Sequence, residues 1–481
     1  MSGLKTLAVA GMGAEGAFGT GVAVTQDLKL LSESLRVGSA PRSSEFTGGR
    51  AREYVGKGLI TVAGGLTEHL RYLLTTDPAH ILLKQAFGAA FGHIYRNLLR
   101  ESWVSLRLAA ADNQELALSV TPATTGSAGV QVRLRLRRVG NPSGNLTVEL
   151  QTDTAGDPSG TPVANGTSAA VSAASITADS GGQDVTFTFA TSPTLTASTA
   201  YHAVLKGTYT ASATDYIDWA VEDVASGGNF EIKDAAWAND ATKNGVGRIL
   251  TTSFIDAFLM ANTIEGQSAT LAIDKGQAVH EFLGMKVRGC TITSTPAGML
   301  QAAYELVGYD EDQSPTNTAA AIQGLRRVRD YPLHSDLTAF WVGDQVDALA
   351  VGDAWKIDSW ELALARALDN TPVSGQRQIL EPLENGSGDV TLAVKLPRYA
   401  SDQWRTWQAA ETKLQVRSQW TDGSKYLTFL AANAIIDGAV PIETGDKAAY
   451  SQEVTLRCFK NGGTNGLIAL EDECELSLLN V

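Results

Sequence analysis

The feature that most restricts the fold is a succession of strand and turn signals that occurs twice, with a Thr-, Gly- and Ala-rich β module spliced into its first occurrence. In the first copy, a short apolar run at 269–273 precedes a long alternating run at 284–293. A turn at 294–298, holding Pro296 and Gly298, then leads to a return run at 299–309, and together they predict a long antiparallel hairpin. The second copy repeats the order with a run at 355–365, an exposed stretch at 370–385 and a return run at 390–396. Each copy also carries one helix signal. Asp77 is the expected N-cap of the first, with Pro78 at its first position and Ile81, Leu82, Gln85, Ala86 and Phe87 at helical intervals until Gly88 or Gly92 ends it. Ser401 is the expected cap of the second, which carries Trp404, Trp407 and Gln408. A split duplication of this kind is architectural, and it points to a protein that builds something rather than one that turns over a substrate.

A chain of 481 residues exceeds what one hydrophobic core usually serves, roughly 100–200 residues. The reading is mainly β: two tandem β-sandwich units, each with a flanking helix, and an inserted jelly-roll-like β-sandwich. The first unit takes residues 1–100 and 250–325, the insertion 101–249, and the second unit 326–481, with 313–329 as a linker. No segment is long and apolar enough to span a bilayer, and glycines and Glu15 interrupt the apolar patch at 7–10 before a signal-peptide core forms, so assembly in a cytoplasm is expected. Cys290, Cys458 and Cys474 have no CxxC spacing and read as buried thiols. The formal charge of −14 disfavours a sequence-reading nucleic-acid binder, yet suits a conduit through which DNA must slide without sticking.

In the first unit, strand signals appear at 22–25, 58–62 and 66–74. Residues 39–54 are polar and without steady period, and they read as a long loop reaching a partner, with Arg42, Glu45, Arg50, Arg52 and Glu53 as its contact candidates. In the insertion, residues 130–137 place Val132, Leu134 and Leu136 on one face and Arg133, Arg135 and Arg137 on the other. Runs at 146–151, 185–189, 201–205 and 216–220 repeat the theme. The second unit ends on strand signals at 414–416, 426–430 and 453–458.

Chemical motifs are weak. Gly11, Gly13, Gly16, Gly19 and Gly21 lack the Gly-Lys-Ser/Thr of a phosphate loop and read as a flexible N-terminal arm. The histidines are scattered without a His-Glu-x-x-His spacing, no Gly-x-Ser-x-Gly elbow is present, and acids such as Glu381, Glu384 and those at 310–312 lie in apparent loops. No enzymatic activity, cofactor or metal is therefore expected. Asp153 and Asp157 offer oxygen ligands to calcium, although Asx turns are the simpler reading. Tyr209, Tyr216, Trp219 and Trp237 are candidates for a sugar-stacking surface or for core, and the arginine row for an acidic partner or a solvated outer face. Trp404 and Trp407 are expected to pack their helix onto its sandwich.

The runs LSESL at 31–35, KGLITVAGGL at 57–66, HEFLGMKV at 280–287, AGML at 297–300 and ELVG at 305–308 resemble tail tube proteins of long-tailed phages. DSWELALARAL at 358–368, with NTPV at 370–373, looks like the matching segment of the second half. The likeness covers residues 20–95 and 250–460. It implies a structural protein of the virion tail whose rings stack into a tube conducting DNA at ejection, three duplicated chains making a ring of sixfold appearance. It also implies as partners further copies of the chain, the tail terminator, baseplate or tail-tip proteins, and tape measure protein and DNA in the lumen. The lumen sheet is then expected from strands at 285–293, 300–307, 360–365 and 390–396. Lys286, Arg288, Thr291, Thr293, Gln301, Glu305, Glu361, Arg366, Thr391 and Lys395 are its candidate residues, and the sequence leaves open which alternation faces the channel. The middle module resembles jelly-roll or carbohydrate-binding-like modules and is expected to project outward as decoration, with Arg133, Arg135, Arg137, Tyr209 and Trp219 as surface candidates. The alternative is an adhesin whose inserted sandwich contacts a host-surface glycan.

Overall fold

The computed structural model describes residues 9–39, 42–44, 53–56, 60–72, 80–97, 101–108, 113–178, 180, 182–210, 212–253, 257–260, 264–312, 315–325, 331–344, 349, 353–370, 377–386, 388–399, 401–422, 425–438, 440, 442–444, 450–459 and 474–480. The chain is mainly β, 57% strand and 7% helix, in antiparallel sheets. Both expected hairpins form, and they meet edge to edge. Six antiparallel strands run in the order Ile60–His69, Gln301–Gly308, Val279–Ser294, Ser359–Ala365, Asp389–Leu396 and Tyr450–Cys458, so Cys290 of the first copy lies opposite Leu364 of the second.

Period-two alternation gives this sheet one apolar face. Leu66, Tyr304, Cys290, Ile292, Leu362, Leu392 and Leu456 are buried on it. A second layer covers that face, in the order Leu337–Asp344, Leu414–Thr421, Lys425–Ile436, Cys474–Asn480, Ala257–Met260 and Gly88–Asn97. Trp360 links the layers: its ring meets Trp420 edge-on at 4.9 Å and Phe429 at 5.7 Å, and its indole N–H donates to the Ser418 hydroxyl at 2.9 Å. Buried residues of both copies belong to one cluster.

Among the described residues, three short α-helices pack against the sheets. The helix α1, Ile81–Phe87, has His80 in the N-cap position, and Gly88 ends it at φ 99° with its N–H on the Lys84 carbonyl; the expected cap Asp77 and Pro78 lie outside the described residues. The helix α2, Ala319–Gly324, occupies the stretch read as a linker. It is docked rather than loose, because the Glu281 carboxylate accepts the backbone N–H groups of Thr316 and Asn317 at 3.1 and 3.0 Å, Thr318 caps the helix, and Ile322 is buried. The helix α3, Gln403–Ala409, has Asp402 in the N-cap position, one residue later than expected, while the Ser401 hydroxyl still accepts from the Gln403 N–H at 3.1 Å. Trp404 is buried in it and packs on Trp355 at 5.2 Å.

The insertion folds as two facing antiparallel sheets around its own buried cluster, which includes Val132, Leu134, Leu136, Val148, Phe187, Trp219 and Phe230. Its return strand Gly247–Thr251 pairs both with Gln131–Val139 and with Gly88–Asn97, so the module continues the sheet of the unit that carries it.

Several expectations change. The N-terminal glycines are not an arm: Val9–Ala14 is a strand between Gln26–Leu28 and Ala269–Asp274. A Cβ on Gly13 would stand 2.4 Å from the Ala23 carbonyl oxygen, so glycine is what lets residues 22–25 pass over it as a loop instead of the expected strand. Trp355 pairs with Phe340 and does not begin the second hairpin, which starts at Ser359. Within 39–54, Arg42–Ser44 pairs with Glu53–Gly56 as a small ribbon, placing Arg42 and Glu53 on it, while Glu45, Arg50 and Arg52 lie outside the described residues. At the first hairpin's turn the left-handed position is held by Ala297, at φ 61°, and not by the neighbouring Gly298. Ala297→Gly relieves that strain and is expected to stabilise the protein by up to about 1 kcal/mol, measured as a higher urea midpoint at unchanged slope.

Candidate functional site

The second face of the six-stranded sheet is open, and its cross-strand registers arrange it in rows. One row is His69, Gln301, Thr293, Glu361, Ala393 and Thr455. The next is Thr67, Ala303, Thr291, Ala363, Thr391 and Arg457, and a third is Gly65, Glu305, Gly289, Ala365 and Asp389. Hydroxyl and methyl side chains dominate, so the relief is low. An open depression of about 410 Å³ lies over Gly65, Gly289, Ala303, Ala363 and Ala365, where the side chains are smallest.

Charge on the face is nearly balanced. Glu305, Glu361, Asp389 and Glu453 stand beside Arg288, Lys395 and Arg457, with Arg288 3.6 Å from Glu305 and Arg457 3.6 Å from Asp389. These pairs are solvated and contribute little to stability.

Eight of the ten lumen candidates lie on this face: Arg288, Thr291, Thr293, Gln301, Glu305, Glu361, Thr391 and Lys395. Lys286 and Arg366 do not reach its solvent. A bulge between Val287 and Gly289 throws Arg288 outward and leaves Lys286 opposite Val307, beneath a strap formed by residues 377–386. There Lys286 is fully buried, its ammonium donating to the Ile264 and Pro382 carbonyls at 3.1 Å each and pairing with Glu381 at 2.5 Å. Val307, Ile264, Leu368 and Ile379 make a small apolar cluster beside it. Arg366 lies one residue beyond its strand and points the other way. Its guanidinium donates to the carbonyls of Ala86 and Phe87 at the end of α1 and pairs with the buried Glu384 of the strap. The two ends of the sheet also differ from its face: Leu380 and Leu383 of the strap are 54% and 50% exposed, and at the opposite end Met299 and Leu333 face each other at 40% and 42%.

Under the sheet lies a buried polar group that the sequence reading missed. Glu68 shares the core with Tyr304 and Cys290, and its carboxyl is pushed up to about 7 by burial against the pull of Arg71. Arg71 in turn donates to Asp27 at 2.9 Å and to His80 at 3.1 Å. The signal available in sequence was Glu68 at the buried phase of an alternating strand.

In the insertion the expected surface is largely internal. Trp219 and Tyr209 are core: the Trp219 indole donates to the Val246 carbonyl at 2.9 Å, and the Tyr209 hydroxyl donates to the Leu106 carbonyl. Tyr216 is covered by the Arg107 guanidinium at 5.0 Å and Trp237 by Lys233 at 5.6 Å, so the four rings form no common stacking surface. Arg133 is 1% exposed, Arg135 pairs with Asp184 at 3.3 Å, and Arg137 pairs with Asp218 at 2.8 Å while lying over Trp103. Asp153 accepts from the Gly156 N–H at 3.3 Å as a turn residue does, and the described residues hold no cluster of ligands suited to a metal ion. No helix among them is long and apolar enough to cross a membrane. No family model matches the chain, and no curated protein matches it.

Proposed function

We propose that this chain is a structural subunit that polymerises into a tube, the tail tube of a long-tailed phage, with the open sheet face lining the DNA channel. The observation that carries the reading is the composition of that face. Two hairpins, one from each copy, join into one low-relief surface of Gly, Ala and Thr, with acids and bases nearly balanced. Affinity for a polyanion comes from concentrated cationic charge, and a wall without it lets DNA slide. Since each chain supplies two hairpins side by side, three chains would complete a ring whose wall looks sixfold and whose exterior, carrying one inserted module per chain, looks threefold.

Electron microscopy of the polymerised protein tests this directly: threefold rings with a near-sixfold wall are expected, whereas monomers under every polymerising condition, or sixfold rings of whole chains, would overturn it. The exposed leucines of the strap give a finer test. Leu380→Glu with Leu383→Glu is expected to abolish stacking of rings while changing monomer stability by no more than about 0.5 kcal/mol, because neither side chain is core. Tubes of normal length from the double variant would remove the strap from the interface.

A further inference from the structure

The inserted module holds a buried histidine, set between two carboxylates, that neither the tube nor a glycan reading uses. His202, in the strand Tyr201–Gly207, is fully enclosed, with Nε2 3.0 Å from Asp153 and Nδ1 3.0 Å from Glu231, itself 2% exposed. A neutral imidazole has one N–H and can donate to one of these carboxylates, turning a lone pair on the other; the imidazolium carries an N–H on each nitrogen and a charge that attracts both. We propose that His202 is a protonated clamp that pins the arm formed by residues 153–162 onto the module and releases it when the solution turns alkaline.

The surroundings favour the charged form. On this face the strand of His202 adds Lys206, Asn145–Thr154 adds Glu149 and Asp153, Glu115–Val120 adds Glu115, and Phe230–Lys233 adds Glu231 and Lys233. The neighbouring strands Asp157–Thr167 and Trp237–Asp240 bring Asp157 and Asp240. Lys206 is held by Glu149 at 2.6 Å and Lys233 by Glu115 at 2.9 Å, leaving His202 as the cation between Asp153 and Glu231. Burial by itself lowers the imidazole, but the Glu231 and Asp153 carboxylates, each 3.0 Å from a ring nitrogen, outweigh it and hold His202 above its ordinary value.

The arm needs such a tie. Its pairing with Asn145–Thr154 breaks register on both sides of Gln151, where the partner is Pro162, and Pro158 and Pro162 have no N–H for the ladder. Its tip turns through Ala155 and Gly156 at φ 59° and 97°. Side-chain bonds replace the ladder: Asp153 to His202, and the Gly160 N–H to Gln151 at 2.7 Å. The sign follows from linkage. A folded-state value above the unfolded one, about 6.5, stabilises the arm fully below that pH, and the contribution is lost as pH rises through the folded value.

The test is nuclear magnetic resonance titration of the His202 ring in the full chain, together with amide hydrogen exchange of residues 153–162 from pH 6 to 9.5. The ring is expected to titrate above 6.5, and exchange of the arm, after correction for base catalysis, to rise at least tenfold across the same interval while the 131–139 strand stays protected. Asp153→Asn should move both midpoints to lower pH, and His202→Gln should make exchange fast and free of the step. A wild-type ring titrating at or below 6.5, or arm exchange with no step, overturns the proposal whether or not the variants fold.

Discussion

Arg366→Ala is expected to destabilise the protein by about 3–5 kcal/mol, because it leaves an uncompensated charge in the interior. Arg366 is 3% exposed, and its partner Glu384 belongs to the strap that closes one end of the open face. The same guanidinium satisfies the last carbonyls of α1, where a cation also complements the helix dipole. Arg366→Lys should recover part of the loss, since a single ammonium cannot reproduce the fork that reaches three acceptors at once. Chemical denaturation measures both. A loss below about 0.5 kcal/mol for the alanine variant, the value for an exposed side chain, would return Arg366 to the open face of the sheet. The contrast with Arg288 makes the experiment internal to one sheet: Arg288, 51% exposed, should tolerate alanine with no such cost.

Glu68→Gln has the opposite sign above neutrality. A carboxyl held at about 7 in the fold and near 4.5 in the unfolded chain binds its proton more tightly when folded. Stability is therefore greatest below 4.5, falls as pH rises towards 7 and stays at the lower level beyond, a decline of about 3 kcal/mol at 1.36 kcal/mol per unit. Glutamine carries no titration and keeps the volume, and Arg71 retains Asp27. The variant is thus expected to be more stable than the wild type by about 3 kcal/mol at pH 8 and to match it at pH 4.5. Urea midpoints at the two pH values decide it, and parallel pH profiles would place the Glu68 carboxyl in contact with water.

Much of the architecture was legible in the chain. The run at 284–293, the turn at 294–298 and the return run became the strands Val279–Ser294 and Gln301–Gly308, because alternation of apolar and polar residues over that length suits a half-buried strand and little else. The partition of Thr291, Thr293, Gln301, Glu305 and Thr391 from Ile292, Ala302, Tyr304 and Leu392 follows from the same period. Misreadings arose where the period breaks or where a neighbour intervenes. The bulge after Val287 shifts the phase by one residue, which turns Arg288 outward and puts Lys286 on the side of Thr291, where the strap buries it. The glycines at 11 and 13 carry no hydrophobic signal, yet they form a core strand because their missing side chains leave room for Val24 and Ala23. Trp219 lies on the inner phase of its strand and Tyr209 folds inward from the bend after Gly207, which aromatic composition alone does not reveal.

What the sequence by itself determined is most strands of the open sheet, the turn of the first hairpin and, away from the bulge, which residues of each strand share a face, since these depend on local periodicity and turn chemistry. Tertiary structure alone decided which of the two faces is open, because that depends on the pairing of the first hairpin with the second across Cys290 and Leu364 and on the second layer that covers one side. It also decided the fate of the charged residues at the sheet's end. Lys286 and Arg366 read as solvated cations until the strap sets Glu381 over the first and Glu384 beside the second, 95 and 18 residues away along the chain, a long-range closure that no local pattern encodes.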